Sequence, residues 1–129
     1  MPLVRLSLYE GKTIDEKNKI ISLIHKSMMD SLKIPENDKN FRIIEYKKEN
    51  FITPKNKSEN YILIEISMFR GRTLDAKRLL YKYIVENLKK IGFNPSDIFI
   101  VLHEEDMDNW GIRGGYPASE VNLGFKVDV

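Results

Sequence analysis

The sequence of 129 residues predicts a single α+β domain in which a β-α-β unit occurs twice. The first observation is an internal repeat, because Gly11 to Lys17 recurs as Gly71 to Lys77. The second is that each copy places short aliphatic segments on either side of a longer amphipathic one. Two copies are too few for a solenoid. We therefore interpret the repeat, about residues 2–47 and 61–103, as one duplicated unit with the order β-α-β-β-α-β.

The first copy is predicted to form a strand, a helix and a second strand. Leu3 to Tyr9 is short and aliphatic and ends at a Glu-Gly break, which is typical of a strand and a turn. Thr13 and Glu16 have the spacing of a capping box, which predicts a helix beginning at Ile14. Phe41 to Tyr46 is the second strand. The apolar residues that fall on one face of the helix are Ile14, Ile20, Ile21, Ile24, Met28 and Leu32.

The second copy repeats this pattern after a polar linker at about Lys47 to Asn60. Tyr61 to Met68 is predicted to be a strand and Leu74 to Ile91 a helix with a glycine, Gly92, at its end. Ile98 to Leu102 is the last predicted strand. Near the carboxyl terminus, residues 121–127 alternate loosely, so we expect there either a short strand added to a neighbouring subunit or a frayed tail.

The order of elements predicts the sheet and its layers. Each β-α-β unit should have a right-handed crossover, which makes its two strands parallel. Two such units then form a four-stranded mixed sheet with both helices on one face. The other face stays uncovered, and we expect Leu3, Ile43 and Ile62 on it. An apolar uncovered face predicts packing against other copies of the chain, hence a homo-oligomer.

Composition excludes several classes of function. Lys and Arg total 21 and Asp and Glu total 19, so the formal net charge is +2 and nothing favours nucleic acid as a partner. There is no cysteine, which excludes disulfides, thiolate nucleophiles and zinc–cysteine sites. The longest apolar stretch, Ile98 to Leu102, is too short to span a membrane, and no export signal is visible. We expect a cytoplasmic protein without a membrane partner.

Pro2 directly follows Met1, a context in which the methionine is normally removed. The processed chain would begin with a secondary amine that can accept or donate a proton. An ordinary α-amino group has a pKa of about 7.7–8.0, and that of proline should be somewhat higher. Burial or nearby cations lower the pKa, and a nearby anion raises it. Proline at position two is common, so Pro2 becomes a candidate only through what surrounds it.

The predicted topology brings three charged residues towards Pro2. Asp38 lies just ahead of the second strand, whose start lies near the start of the first strand. If strands 1 and 3 are antiparallel, Arg70 and Arg72 follow the end of strand 3 and reach the same place. Two arginines can bind a carboxylate, Asp38 can orient the amine or activate a water, and Pro2 can move a proton. The alternative interpretation is that Asp38 is only a turn residue and that the arginines are surface charges flanking Gly71. The repeat is a reason to consider it, because a lysine, Lys12, stands in the first copy where Arg72 stands in the second.

Several short motifs resemble the malonate semialdehyde decarboxylase branch of the tautomerase superfamily. They are Met1-Pro2-Leu3-Val4, Gly11-Lys12-Thr13, Ile34-Pro35-Glu36-Asn37-Asp38 and Arg70-Gly71-Arg72. The resemblance implies the fold of macrophage migration inhibitory factor, a homotrimer with active sites near subunit boundaries, and a catalytic Pro2 with Asp38 as its partner. It also implies that Arg70 and Arg72 bind substrate and that Trp110 forms part of a hydrophobic wall. Two departures are Gly71, where the family often has proline, and the segment 110–116, which fits poorly.

The expected function is a cofactor-independent enzyme that acts on a small oxo-acid. Keto–enol tautomerisation needs a neutral Pro2 as the base. Decarboxylation or hydration of a 3-oxo acid, such as malonate semialdehyde, needs a cationic Pro2 and an activating Asp38. Two non-enzymatic alternatives are an oligomeric binding module of the same fold and a ferredoxin-like ligand-sensing domain. No metal site is expected, because His25 and His103 have no evident third ligand.

Overall fold

The structure is a computed structural model, and it describes residues 2–124. It confirms the predicted order β-α-β-β-α-β and adds a short strand pair after it. The strands and helices are β1 (Leu3–Tyr9), α1 (Ile14–Leu32), β2 (Phe41–Tyr46), β3 (Ile62–Phe69), α2 (Leu74–Lys89), β4 (Ile98–Glu105), β5 (Gly111–Ile112) and β6 (Tyr116–Pro117). The predicted bounds of β1 and β2 and the predicted start of α1 are confirmed. Strand β3 is shifted by one residue, α2 ends two residues earlier, and β4 is three residues longer.

The four long strands form one mixed sheet with the spatial order β2-β1-β3-β4. Strand β1 is parallel to β2 and antiparallel to β3, and β3 is parallel to β4. Each β-α-β unit therefore contributes a parallel pair, and the two units meet through the antiparallel contact in the middle. Strands β5 and β6 form a separate antiparallel pair.

Both helices begin in the way the repeat predicts. Before α1, the Oγ1 atom of Thr13 accepts a hydrogen bond from the Glu16 amide at 3.1 Å, and the Glu16 carboxylate accepts one from the Thr13 amide at 2.9 Å. Before α2, the Oγ1 atom of Thr73 accepts a hydrogen bond from the Ala76 amide at 3.1 Å. The two bonds between Thr13 and Glu16 confirm the predicted capping box. They satisfy amides that have no hydrogen-bond partner within the first turn of the helix.

The hydrophobic core lies between the helices and one face of the sheet. Strand residues on this face alternate with residues on the open face. The core includes Ile62, which is fully buried, and Ile43 packs against it. The expectation that these two residues lie on the open face was wrong. Successive strand residues point to opposite faces, and it is the neighbouring positions that point to the open face. Leu63 and Phe99, which are register partners, lie on the open face instead, and Phe99 is 54% exposed.

The open face carries a charged network at its centre. Glu65 of β3 accepts two hydrogen bonds from Arg5 of β1, at 3.1 and 3.2 Å, and a third from Nε2 of His103 on β4, at 2.9 Å. These bonds, first those from Arg5 and then that of His103, lower the pKa of the Glu65 carboxyl. The face predicted to pack against other subunits is therefore apolar only in part.

The linker between the halves is packed against the end of the sheet. Its first residues form a short 3-10 helix, Lys48–Asn50, and the ring of Phe51 then contacts the rings of Tyr9, Tyr46 and Tyr61 at centroid distances of 5.3, 5.1 and 5.8 Å. At the carboxyl terminus, residues 121–124 contain no strand, and the remainder of the predicted segment at 121–127 lies outside the described residues. Within residues 2–124, neither helix is long and apolar enough to cross a membrane.

Candidate active site

The start of β1 lies at the end of the sheet where β2 also begins and where β3 and β4 finish. The amide of Val4 donates a hydrogen bond to the carbonyl of Asn40 at 3.0 Å, directly before β2. On the other side Leu3 is the register partner of Ser67, near the end of β3. Pro2 is buried at this position. We call the region around Pro2, Asn40 and the last residues of β3 and β4 the proline end of the sheet.

Asp38 lies in the loop that joins α1 to β2, at the proline end. Its amide donates a hydrogen bond to the carbonyl of Pro35 at 3.1 Å, which closes a turn before the chain enters β2. Its side chain is half-buried. Because Asn40, two residues later, is bonded to Val4, the loop is held against the start of β1. The loop that contains Asp38 therefore lies next to the strand that begins directly after Pro2.

Arg70 follows directly after β3 and reaches towards the end of β4. Its amide donates to the carbonyl of Glu105 at 2.9 Å. Its side chain donates from Nε to Oδ1 of Asp106 at 2.6 Å and from Nη2 to the carbonyl of Glu104 at 3.4 Å. The Asp106 carboxylate raises the pKa of Arg70 above its ordinary value. The Arg70 side chain is 61% exposed, so its guanidinium is accessible as well as oriented.

Arg72 lies between β3 and α2, and its side chain extends to the end of α1 rather than to β4. Its Nη1 donates a hydrogen bond to the carbonyl of Leu32, the last residue of α1. The last carbonyls of a helix have no helical partner and carry partial negative charge, which suits a guanidinium. Arg72 is half-buried. It thereby links α2 to the segment that leads from α1 into the Asp38 loop.

Gly71, between the two arginines, has a φ of 128°. A proline there could not adopt this conformation, because its ring fixes φ near −65°. The equivalent residue of the first copy, Gly11, has a φ of 123°, so both copies use the same glycine turn. The departure from the family pattern at this position follows from the backbone of the turn.

Trp110 lies beyond β4 and packs against Phe69, the last residue of β3. Its ring meets the ring of Phe69 edge-on, with centroids 5.0 Å apart and an angle of 76° between planes. Its carbonyl accepts a hydrogen bond from the Ala118 amide at 2.9 Å. This bond joins the two ends of the segment that contains β5 and β6. Its Nε1 is buried and has no hydrogen-bond partner in the part of the chain that the structure describes.

Phe69 and Asp106 also lie at this end of the sheet and were not among the predicted site residues. A signal for Phe69 was present, because an aromatic residue precedes the glycine turn in both copies, as Tyr9 and as Phe69. Asp106 carried no such signal, since its contact with Arg70 depends on β4 extending three residues beyond its predicted end.

Because the chain repeats, the opposite end of the sheet corresponds to the proline end. It lacks the residues proposed for proton transfer and substrate binding. The rings of Tyr9 and Phe51 are in contact there, at a tilt of 48°, where Phe69 and Trp110 meet edge-on at the proline end. By the spacing of the repeat, Ile62 stands in place of Pro2, and Glu10 and Lys12 in place of the two arginines. A cavity of about 670 Å³ lies at this opposite end, lined by residues that include Tyr9, Glu10, Lys12, Lys48 and Glu59. Since an internal isoleucine has no amine, the cavity does not mark the candidate site.

Neither histidine lies in a cluster suited to metal binding. His25 is buried in α1, and Nε2 of His103 is hydrogen-bonded to Glu65 on the open face. Residues 2–124 contain no group of three His, Asp or Glu side chains placed to hold a metal ion.

Proteins of similar sequence are described as tautomerases. A family model described as a tautomerase enzyme matches residues 38–113, which is more than half of the chain. The probable tautomerase YusQ of Bacillus subtilis (strain 168) is 26% identical over 121 residues, which cover 89% of this chain and 95% of the relative. The probable tautomerase YrdN of the same organism is 22% identical over 122 residues, which cover 89% of this chain and 93% of the relative.

Solved structures with the same fold include two named enzymes. A malonate semialdehyde decarboxylase inhibited by 3-bromopropiolate superposes with a TM-score of 0.83 at 22% identity, over 94% of this chain and 98% of that chain. Native fused 4-OT superposes with a TM-score of 0.83 at 18% identity, over 95% of this chain and 99% of that chain. The predicted fold class is therefore confirmed.

Proposed function

The chain belongs to the tautomerase family of enzymes, and we propose that it interconverts the keto and enol forms of a small oxo-acid without a cofactor. Pro2, as the amino terminus after removal of Met1, moves the proton. The observation that carries the proposal is that strand direction brings three segments to one end of the sheet, and that these segments contain Pro2, Asp38 and the pair Arg70 and Arg72.

Each residue has a role that its chemistry supports. Arg70 presents an exposed guanidinium that can hold the substrate carboxylate and favour negative charge on the neighbouring carbonyl oxygen as the enolate forms. Arg72 adds positive charge near the same end. Pro2 is buried, and burial beside cations lowers the pKa of an amine and favours the neutral base. Trp110 and Phe69 provide an apolar wall for the carbon skeleton.

Decarboxylation or hydration of a 3-oxo acid is the second candidate, and the Asp38 loop favours it. An aspartate held beside the amine raises the pKa of Pro2 and keeps it cationic, so that it can act as an acid while Asp38 activates water. The solved structures of this fold include a malonate semialdehyde decarboxylase, which makes that compound a sensible first 3-oxo acid to test.

The test is an ultraviolet assay of 2-oxo and 3-oxo acids, followed by a pH–rate profile of any substrate found. Tautomerisation predicts a change in enol absorbance and a kcat that rises with pH through a pKa below the ordinary α-amino value of about 7.7–8.0. Decarboxylation predicts release of carbon dioxide and a kcat that falls above a higher pKa. Absence of turnover with every oxo-acid would favour a non-catalytic binding module.

We further propose that the active form is a homotrimer in which the open faces of the sheets pack together. The partly apolar character of that face supports this assembly. The fused 4-OT structures of the same fold include symmetric and asymmetric trimers.

A further inference from the structure

We propose that His25 is a positioning residue for Asp38, because it fixes the loop that carries this carboxylate to the proline end of the sheet. The inference deepens the proposed function and rests on it for the role of Asp38, which is to orient the Pro2 amine or, in the second candidate reaction, to activate water. The position of the loop itself is a separate question, which can be measured without any substrate.

His25 lies in the middle of α1, yet its side chain is directed at the loop that follows the helix. It is 4% exposed. Its Nε2 lies 2.8 Å from the carbonyl oxygen of Glu36, and because a carbonyl only accepts, Nε2 carries the proton. Its Nδ1 is buried and has no hydrogen-bond partner among residues 2–124. A buried histidine therefore donates from Nε2 to a carbonyl of the loop.

The same ring also holds the chain on the far side of Asp38. The ring of Phe41, the first residue of β2, meets the His25 ring edge-on, with centroids 6.1 Å apart and an angle of 82° between planes. Phe41 is in turn the register partner of Val4 on β1. The loop is therefore fixed at Glu36 and at Phe41, with Asp38 between the two points.

Loss of the Nε2 donor should move Asp38 more than it disturbs the fold. The Glu36 carbonyl would lose its partner, and the turn closed by the Asp38 amide on Pro35 would be held at one fewer point. A misplacement of about 1 Å in a reacting group can cost about 100-fold in rate. Substrate binding by Arg70 does not depend on this loop, because its contacts are with the end of β4.

Two substitutions test whether the hydrogen bond from Nε2 matters or only a polar side chain at this position. Both introduce an amide, but only one places its nitrogen where Nε2 lies. The terminal nitrogen of glutamine in His25→Gln reaches the position of Nε2, whereas the shorter amide of His25→Asn does not. We expect His25→Asn to lower kcat about tenfold or more with KM changed less than about twofold, and His25→Gln to recover most of the loss. As a control, Ser31→Ala removes a buried hydrogen bond within α1, from the Ser31 hydroxyl to the Ser27 carbonyl, and should leave kcat unchanged.

A double-mutant cycle tests whether His25 acts through Asp38. If it does, His25→Asn should cost less than about twofold once Asp38→Asn is present, because the carboxylate it positions is already gone. Full multiplication of the two effects would contradict the proposal.

Amide hydrogen exchange distinguishes failure of this inference from failure of the proposed function. His25→Asn should accelerate exchange in residues 36–40, including the Asp38 amide that is bonded to Pro35, and His25→Gln should not. Unchanged exchange in His25→Asn overturns the positioning role whatever the kinetics are. Accelerated exchange together with full activity of Asp38→Asn supports the positioning role and overturns the proposed role of Asp38.

Discussion

Arg70 donates from Nε to Oδ1 of Asp106 at 2.6 Å, and this contact determines which edge of its guanidinium is available to a ligand. A second donor, on Nη2, points to the carbonyl of Glu104. The two remaining edge groups, Nη1 and the second Nη2 hydrogen, form a fork that can bind a carboxylate with two parallel hydrogen bonds. Arg70 is therefore pre-oriented by its own chain before any substrate arrives.

The first prediction concerns this fork. Arg70→Ala should raise KM by about tenfold or more, because a hydrogen bond to a charged group contributes about 1.5–3 kcal/mol. Arg70→Lys should recover only part of the loss, since one ammonium cannot contact Asp106 and a carboxylate with the same planar geometry. Steady-state kinetics on the best oxo-acid from the assay measures both effects.

Arg78 provides a matched control for Arg70. It is also an exposed arginine paired with an aspartate, Asp75, at 2.8 Å, but this pair lies along the surface of α2. Arg78→Ala should leave KM unchanged. Equal effects of Arg70→Ala and Arg78→Ala would mean that Arg70 is an ordinary surface charge.

The second prediction concerns pH and the network on the open face. The pKa of Glu65 is lowered by Arg5 and then by His103, so Glu65 stabilises the fold above its unfolded-state pKa of about 4.3 and loses this effect as pH falls through its lower folded-state value. Glu65→Gln should lower the Tm by about 3–5 °C near neutral pH, for a loss of about 1 kcal/mol. The difference from the parent protein should shrink as the pH falls below this unfolded-state value, because Glu65 becomes protonated in the folded chain as well.

Glu59→Gln is the control for Glu65→Gln. The pKa of Glu59 is also lowered, by Lys48, but the two side chains are 77% and 70% exposed. Exposed pairs contribute little because water screens them. Differential scanning fluorimetry across pH should therefore show almost no change for Glu59→Gln, and an equally large, pH-independent loss in both variants would contradict the linkage.

The sequence predicted the order of elements because the relevant signals are local. The capping box at Thr13 and the glycine turns lie within a few residues of what they specify. The bounds of β4 were less predictable, because its last residues are polar and gain their partners from elsewhere. Glu104 pairs with Lys77 of α2 at 2.6 Å, and His103 with Glu65. These contacts exist only in the folded chain.

The topology of the sheet was enough to predict which residues lie near one another in the candidate site, but not the contacts that orient their side chains. Pro2, Asp38 and the arginines follow from strand direction, since each lies within four residues of the start or end of a predicted strand. The contacts that orient them do not follow from it. Asp106 depends on the added length of β4, and His25, which the periodicity of α1 does not single out, depends on how the next loop folds back.

The third prediction concerns assembly. Phe99 is 54% exposed at the register position of Leu63, on the face of the sheet opposite the helices. Phe99→Arg should convert a trimer into smaller species at micromolar concentration, because a charge would be buried without a partner in the interface. Light scattering coupled to size exclusion measures the mass. Leu79→Arg, at a residue 41% exposed on α2, is the matched control and should leave the mass unchanged. A monomeric parent protein would refute the trimer.

The last prediction concerns the amino terminus. A proline nitrogen in a peptide bond has no lone pair available for proton transfer, so Met1 must be removed before Pro2 can act, and mass spectrometry of the native protein should find a chain that begins at Pro2. Insertion of a lysine between Met1 and Pro2, which prevents removal of the methionine, should abolish activity. Pro2→Ala should keep the assembly but lose most of kcat, because a primary amine in a displaced position is a poorer acid or base for this site. Full activity of a homogeneous preparation that still carries Met1 would exclude Pro2 as the catalytic group.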